Sequence, residues 1–198
     1  MKKLIFYFIL TTLISSCMSQ KVYINTLAES KSSDTFDIEK FNRLEKGGEY
    51  RDTLKDGTII RRMSSDTDFS EFENPPPPSI LRVYRSFHLN GKLKMKGISF
   101  PNSVALGVWR EYDKEGNLIK EENHDEGYEY SFEDIVSFMR LRNVDLFHRY
   151  TDIMRNKGVW NLVYVKGESY PKHIYNIKID GKTGKIISKT KNVFQEGS

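Results

Sequence analysis

Cysteine is almost absent from this chain of 198 residues: Cys17 is the only one. A single thiol excludes an internal disulfide and any cysteine-built metal site, so stability must come from an ordinary apolar core. Long apolar runs are missing too. Leu4 to Ile14 is shorter than the ~20 residues a membrane-spanning helix needs, and no later stretch approaches that length. Charge of one sign is not in large excess, with 31 basic against 27 acidic side chains, which argues against a nucleic-acid partner. The histidines His88, His124, His148 and His173 have no metal-ligand spacing. His124 does lie among acids, where a solvated loop is the preferred reading over chance metal binding. Gly181-Lys182-Thr183 is not a phosphate-binding loop, because position 176 is Asn where that motif requires Gly and strand-like sequence lies on both sides. Asp113-Lys114-Glu115-Gly116 puts its glycine fourth, whereas a calcium loop needs it sixth. No Gly-x-Ser-x-Gly elbow is present. Nothing in the order of acids distinguishes a glycosidase-type pair from surface charge. No cofactor motif emerges, and the chain is expected not to be an enzyme.

What is present begins at the N-terminus. Met1-Lys2-Lys3 is a basic start, Leu4 to Ile14 an apolar run of secretory-signal length, and Ile14-Ser15-Ser16-Cys17 closes it. This resembles the lipobox of bacterial lipoproteins. The resemblance implies that residues 1–16 are removed and that Cys17 becomes an acylated N-terminus. Each buried methylene contributes about 0.8 kcal/mol, so two or more chains anchor stably. The expected location is the cell envelope, outside the cytoplasm. Met18 after the cysteine favours the outer membrane in a two-membrane cell. Loss of Lys2 and Lys3 leaves 29 basic against 27 acidic groups, a net charge of +2.

Residues 17–35 are small and polar and read as a flexible tether. In 36–74, Phe36, Ile38 and Phe41 suit a short helix or strand. Lys55-Asp56-Gly57 between β-prone runs predicts a small hairpin, and the polar, acidic residues 64–74 are expected to offer little to a core. Pro75 to Pro78 fix an extended, donor-free segment. It reads either as a ligand for a proline-recognising domain or, preferably, as a stiff spacer between two folded parts. From 79 to 127 the pattern has period two, with turns at Asn90-Gly91 and Asp113 to Asn117, predicting a meander of short strands. Within 128–195, Ser131 and Asp134 form a capping box. Phe132, Ile135, Val136 and Met139 make one apolar helix face, and Asn143 is a stop. Strands follow near 150–155, 159–165, 173–180 and 185–188. The fold class is therefore α+β: an antiparallel β meander, then a helix packed on an antiparallel sheet.

Phe87-His88-Leu89-Asn90-Gly91-Lys92-Leu93, Gly107-Val108-Trp109-Arg110-Glu111-Tyr112-Asp113 and Glu115-Gly116-Asn117-Leu118-Ile119 resemble the MORN-variant repeats of YwqK-type antitoxins. The helix followed by strands ending in Asp180-Gly181-Lys182-Thr183-Gly184 is similar to PepSY-like domains, which are mostly non-catalytic and some of which bind peptidases. These resemblances imply a binding protein, in its most concrete form an immunity or inhibitor protein against a toxin or peptidase. The alternative is an accessory envelope lipoprotein that binds glycan or peptidoglycan. The acidic stretch with Glu121, Glu122, Asp125, Glu126 and Glu129 contains no Lys or Arg and is the expected partner-facing surface. Trp109 and Trp160 suit either a ligand groove or the core, with the core preferred.

Overall fold

The computed structural model describes residues 33–101, 104–167 and 172–194. Cys17, the lipobox and most of the tether lie outside the described residues. The architecture is α+β. A seven-stranded antiparallel meander is joined through a helix to a four-stranded antiparallel sheet.

Helix α1 (Ile38–Leu44) starts where the Asp37 carboxylate accepts from the Lys40 amide at 2.9 Å. The meander strands are β1 (Glu49–Thr53), β2 (Ile59–Ser64), β3 (Phe69–Asn74), β4 (Arg82–Phe87), β5 (Leu93–Phe100), β6 (Val104–Tyr112) and β7 (Leu118–Asn123), paired in chain order. The β1–β2 hairpin turns at Asp56-Gly57 as its sequence predicts. At the β4–β5 turn Gly91 has φ +81°, and a side chain there would meet the Phe36 carbonyl at 3.0 Å. The β6–β7 turn is held by Asp113, whose Oδ1 accepts from the amides of Glu115, Gly116 and Asn117 at 2.8 to 3.0 Å. Its carboxylate therefore organises the turn.

Strand β3 falls in the stretch expected to offer little to a core. Its alternation is Phe69, Glu71, Glu73 on one face and Ser70, Phe72, Asn74 on the other, and the first set is buried. Two glutamates inside a sheet hide a period-two pattern from any reading based on hydrophobicity. The tetraproline run is accordingly not a spacer between folded parts. It connects β3 to β4, which pair directly from Phe69↔Phe87 to Glu73↔Val83. Proline is tolerated there because a hairpin connection requires no ladder donors. The end of the tether also differs from expectation. Thr35 bridges to Lys92, and Asp34 lies 2.6 Å from the Lys96 ammonium, so residues 33–35 are fastened to the sheet.

Helix α2 (Phe132–Arg140) carries the expected capping box between Ser131 and Asp134. Beyond its last turn Asn143 has φ +52°, and the Val144 amide donates back to the Met139 carbonyl at 3.1 Å. The second sheet contains β8 (Asp152–Asn156), β9 (Val159–Lys166), β10 (His173–Asp180) and β11 (Ile186–Val193), in the order β11-β10-β9-β8. Gly181-Lys182-Thr183 is the β10–β11 turn, with Asp180 Oδ1 accepting from the Lys182 and Thr183 amides.

Helix α2 turns Phe132, Ile135, Val136 and Met139 into a core shared by both sheets. Leu81, Ile98, Phe100, Val104 and Leu106 enter from the meander side, and Ile153, Trp160, Leu162, Ile177 and Ile179 from the other. Trp160 is fully buried. A second cluster of Phe36, Phe41, Phe69, Phe87 and Leu93 sits under α1.

Candidate binding surface

Alternation along each strand gives the meander two faces. The inner face packs on α1 and on the shared core. Between those apolar regions it holds an ion cluster. Glu71, Glu73 and Arg85 are each 3% exposed. One guanidinium nitrogen of Arg85 lies 3.3 Å from Glu71 and 3.1 Å from Glu73. Arg62 Nε lies 2.8 Å from the other Glu71 oxygen, and Asp34 completes the cluster beside Arg85 at 3.6 Å. Two buried carboxylates side by side invite a catalytic reading. Here, however, they share a guanidinium, and the cluster acts as a structural fastener between β2, β3, β4 and the strap at residue 34. Beside it, under α1, lies a cavity of about 210 Å³ lined by Lys40, Tyr50, Arg62 and Glu71 among others.

The outer face carries an aromatic row. Register places Arg61 opposite Phe72, Phe72 opposite Tyr84, Tyr84 opposite Gly97, and Trp109 opposite Glu122. Phe72 and Tyr84 have ring centroids 5.2 Å apart; Tyr84 and Trp109 are 5.7 Å apart with planes 21° from parallel. Gly97 sets the pose of Trp109. A methyl at Gly97 would lie 2.2 Å from Cδ2 and Cε2 and 2.4 Å from Nε1 of the indole. A point nearly equidistant from three atoms of the five-membered ring lies above that ring, so the indole rests face-down on the backbone at Gly97. Its Nε1 donates to the Ile98 carbonyl at 3.0 Å, which pins it there. Trp109 and Tyr84 thus turn broad ring faces outward and remain partly exposed.

Charged groups flank the row. Arg82 lies over Phe72 with its guanidinium carbon 5.1 Å from the ring, and its Nε donates to Asn74 Oδ1 at 2.9 Å. It has no acidic partner among the described residues. Burial, and then repulsion from Arg61, lower its pKa from the usual arginine value. At the other end His124 meets Trp109 edge-on at 5.7 Å, and burial lowers its pKa below the ordinary histidine value.

The acidic stretch looks different in three dimensions. Glu121 pairs with Arg110 at 2.8 Å and Glu122 with Lys120 at 2.7 Å. Asp125 binds Arg155 at 3.0 Å and accepts from the Gly107 amide at 3.0 Å, tying the meander to β8. Glu129 lies 3.9 Å from Lys182, and Glu126 is exposed. Glu121 and Glu122 are consecutive on β7 and project to opposite faces. Apart from Lys120, on β7 itself, the basic neighbours come from other elements, so the acids are paired although the run 121–129 contains no Lys or Arg. The five residues are not gathered on one surface. The residues the sequence reading passed over are Phe72, Arg82 and Asn74. The only signal of Phe72 and Asn74 was the alternation Ser70-Glu71-Phe72-Glu73-Asn74; Arg82 stood in the basic run 82–96, which contains no acid.

Among the described residues no group of three or more His, Cys, Asp or Glu is placed to hold a metal ion. No family model, no curated protein and no solved structure matches the chain.

Proposed function

We propose that the protein is a lipid-anchored, non-catalytic binding protein of the bacterial cell envelope, and that the outer face of its meander is the binding surface. The observation that supports the binding role is the flat pose of Trp109 over Gly97 beside Tyr84. Trp109 and Tyr84 are held open to solvent by a glycine and a hydrogen bond, although burying aromatic area is favourable. Tyr, Trp and Arg are also the side chains enriched where binding energy concentrates. The location is supported by the lipobox Ile14-Ser15-Ser16-Cys17. The likenesses to MORN-variant repeats and PepSY-like domains support a non-catalytic role. An immunity or inhibitor protein is the form of this function in which the partner is a protein toxin or peptidase.

Two measurements test the reading. Mass spectrometry of the membrane-extracted protein is expected to find an acylated N-terminal Cys17, and Cys17→Ala is expected to abolish both adduct and membrane attachment. The purified lipoprotein, its acyl chains held in detergent micelles, is also expected to sediment with lipid-free envelopes. Unmodified Cys17, or no retention on envelopes, contradicts the proposal.

A further inference from the structure

We propose that the outer face of the meander is a platform for an acidic polysaccharide, whose sugar rings lie on Tyr84 and Trp109 while a carboxylate meets Arg82. This rests on the reading of that face as the binding surface and names what it binds.

The ring geometry comes first. A protein partner usually anchors by filling a pocket with a side chain. Beside Trp109 the available depression, above Gly97, is already filled by the indole itself. What remains is a nearly flat pair of ring faces with planes 21° apart. A flat aromatic face suits the flat, C–H-rich face of a pyranose ring. Two such faces side by side suit successive sugars of one chain better than a single small molecule.

The rim chemistry comes second. Sugar hydroxyls need both donors and acceptors. Arg82 offers donors at one end, its Nε being oriented by Asn74 Oδ1, and Glu111, on the same face of β6 as Trp109, offers an acceptor at the other. The charge at the Phe72 end is unbalanced. Arg82 has no acidic partner among the described residues and sits close enough to Arg61 to be repelled by it. Glu49 holds Arg61 at 2.6 Å and is thereby committed. An anionic group over Phe72 would relieve that repulsion and form a charge-assisted hydrogen bond to the Arg82 fork. A neutral glycan leaves the cation unanswered. Sugar chains carry carboxylates or phosphates, both of which suit an Arg fork; the anion proposed is the carboxylate, which amidation removes.

The test uses the mature lipoprotein in detergent micelles and envelopes of the bacterium that carries the gene, extracted free of lipid and digested with proteinase K. The protein is expected to sediment with this material. Amidation of the envelope carboxylates with carbodiimide is expected to weaken retention roughly tenfold or more, the loss of one good charge-assisted contact. Arg82→Gln and Tyr84→Leu are expected to do the same on untreated material at an unchanged melting temperature. Tyr84→Leu provides a check should Arg82→Gln disturb the fold. Retention lost after proteinase K identifies a protein partner, overturning the glycan proposal while keeping the binding reading. Retention that amidation leaves unchanged overturns the carboxylate. No retention on untreated envelopes overturns both readings.

Discussion

Arg85 is the residue on which the inner face depends. Its guanidinium answers Glu71 and Glu73, all three nearly out of solvent. A buried charge left without its partner is far more costly than the pair was favourable. Arg85→Met is therefore expected to destabilise the fold by about 3–5 kcal/mol in urea unfolding, whereas replacing the whole cluster with apolar residues is expected to be far milder. Gly97→Ala acts on the other face. Its methyl would overlap the indole, so the ring must lift. The expected result is a loss of about 1–3 kcal/mol, as in overpacked sites, with a red shift in the emission of Trp109. Trp160, fully buried, is expected to stay unchanged. Acid acts through held carboxylates. Arg61 first, then Arg51, lower the pKa of Glu49 from 4.5 to about 2. A carboxyl group depressed on folding adds stability above its unfolded value and loses it as pH falls through the folded one. Stability is thus expected to decline between pH 4.5 and about 2. His124, also depressed, is expected to add a smaller loss that begins as pH drops below 6.5. Urea midpoints measured at several pH values check both.

At the scale of elements, β3 and the tetraproline connection carry the lesson about legibility. The β1–β2 hairpin, the Asn90-Gly91 turn, the Asp180 turn and helix α2 were all readable, because each is specified locally by turn chemistry, a capping box or an apolar stripe. Strand β3 was not, because its inward positions hold Glu71 and Glu73, whose counter-ions lie on β2 and β4. The outer aromatic row was not legible: Trp109 was expected in the core, where only Trp160 lies, and its neighbours Phe72 and Tyr84 are brought to it only by register. The acidic stretch misled in part for the same reason, since all its cations but Lys120 of β7 come from β6, β8 and the β10–β11 turn. Because β3 belongs to the sheet, a fragment beginning at Ser79 is expected to lose cooperative unfolding. It would strip Arg85 of both glutamates and leave Phe87 and Leu93 without α1, Phe36, Phe41 and Phe69. Thermal melting of that fragment decides the point, and a transition like that of the whole chain would show that β1–β3 are dispensable. Ser131→Ala, which removes the cap of α2, is expected to cost about 1 kcal/mol in the same kind of experiment.

For the whole molecule, the shared core joins the two sheets into one folding unit. Leu106 of the meander and Leu162 of the second sheet belong to one buried cluster with α2, and Arg155 donates across the junction to Asp125 and to the Ala105 carbonyl. Leu106→Ala is expected to destabilise by about 2–5 kcal/mol. It should lower a single transition seen alike by far-UV circular dichroism and by Trp160 fluorescence, rather than split it into two. A molecule of this build offers its partner a rigid face. The most direct measurement compares two surfaces of the same protein, held in detergent micelles, by sedimentation with lipid-free envelopes. The double variant Tyr84→Ala, Trp109→Ala is expected to lose retention, while Glu121→Lys, Glu126→Lys, Glu129→Lys keeps it. The reverse pattern, with binding kept by the aromatic variant and lost by the charge reversal, would contradict the account.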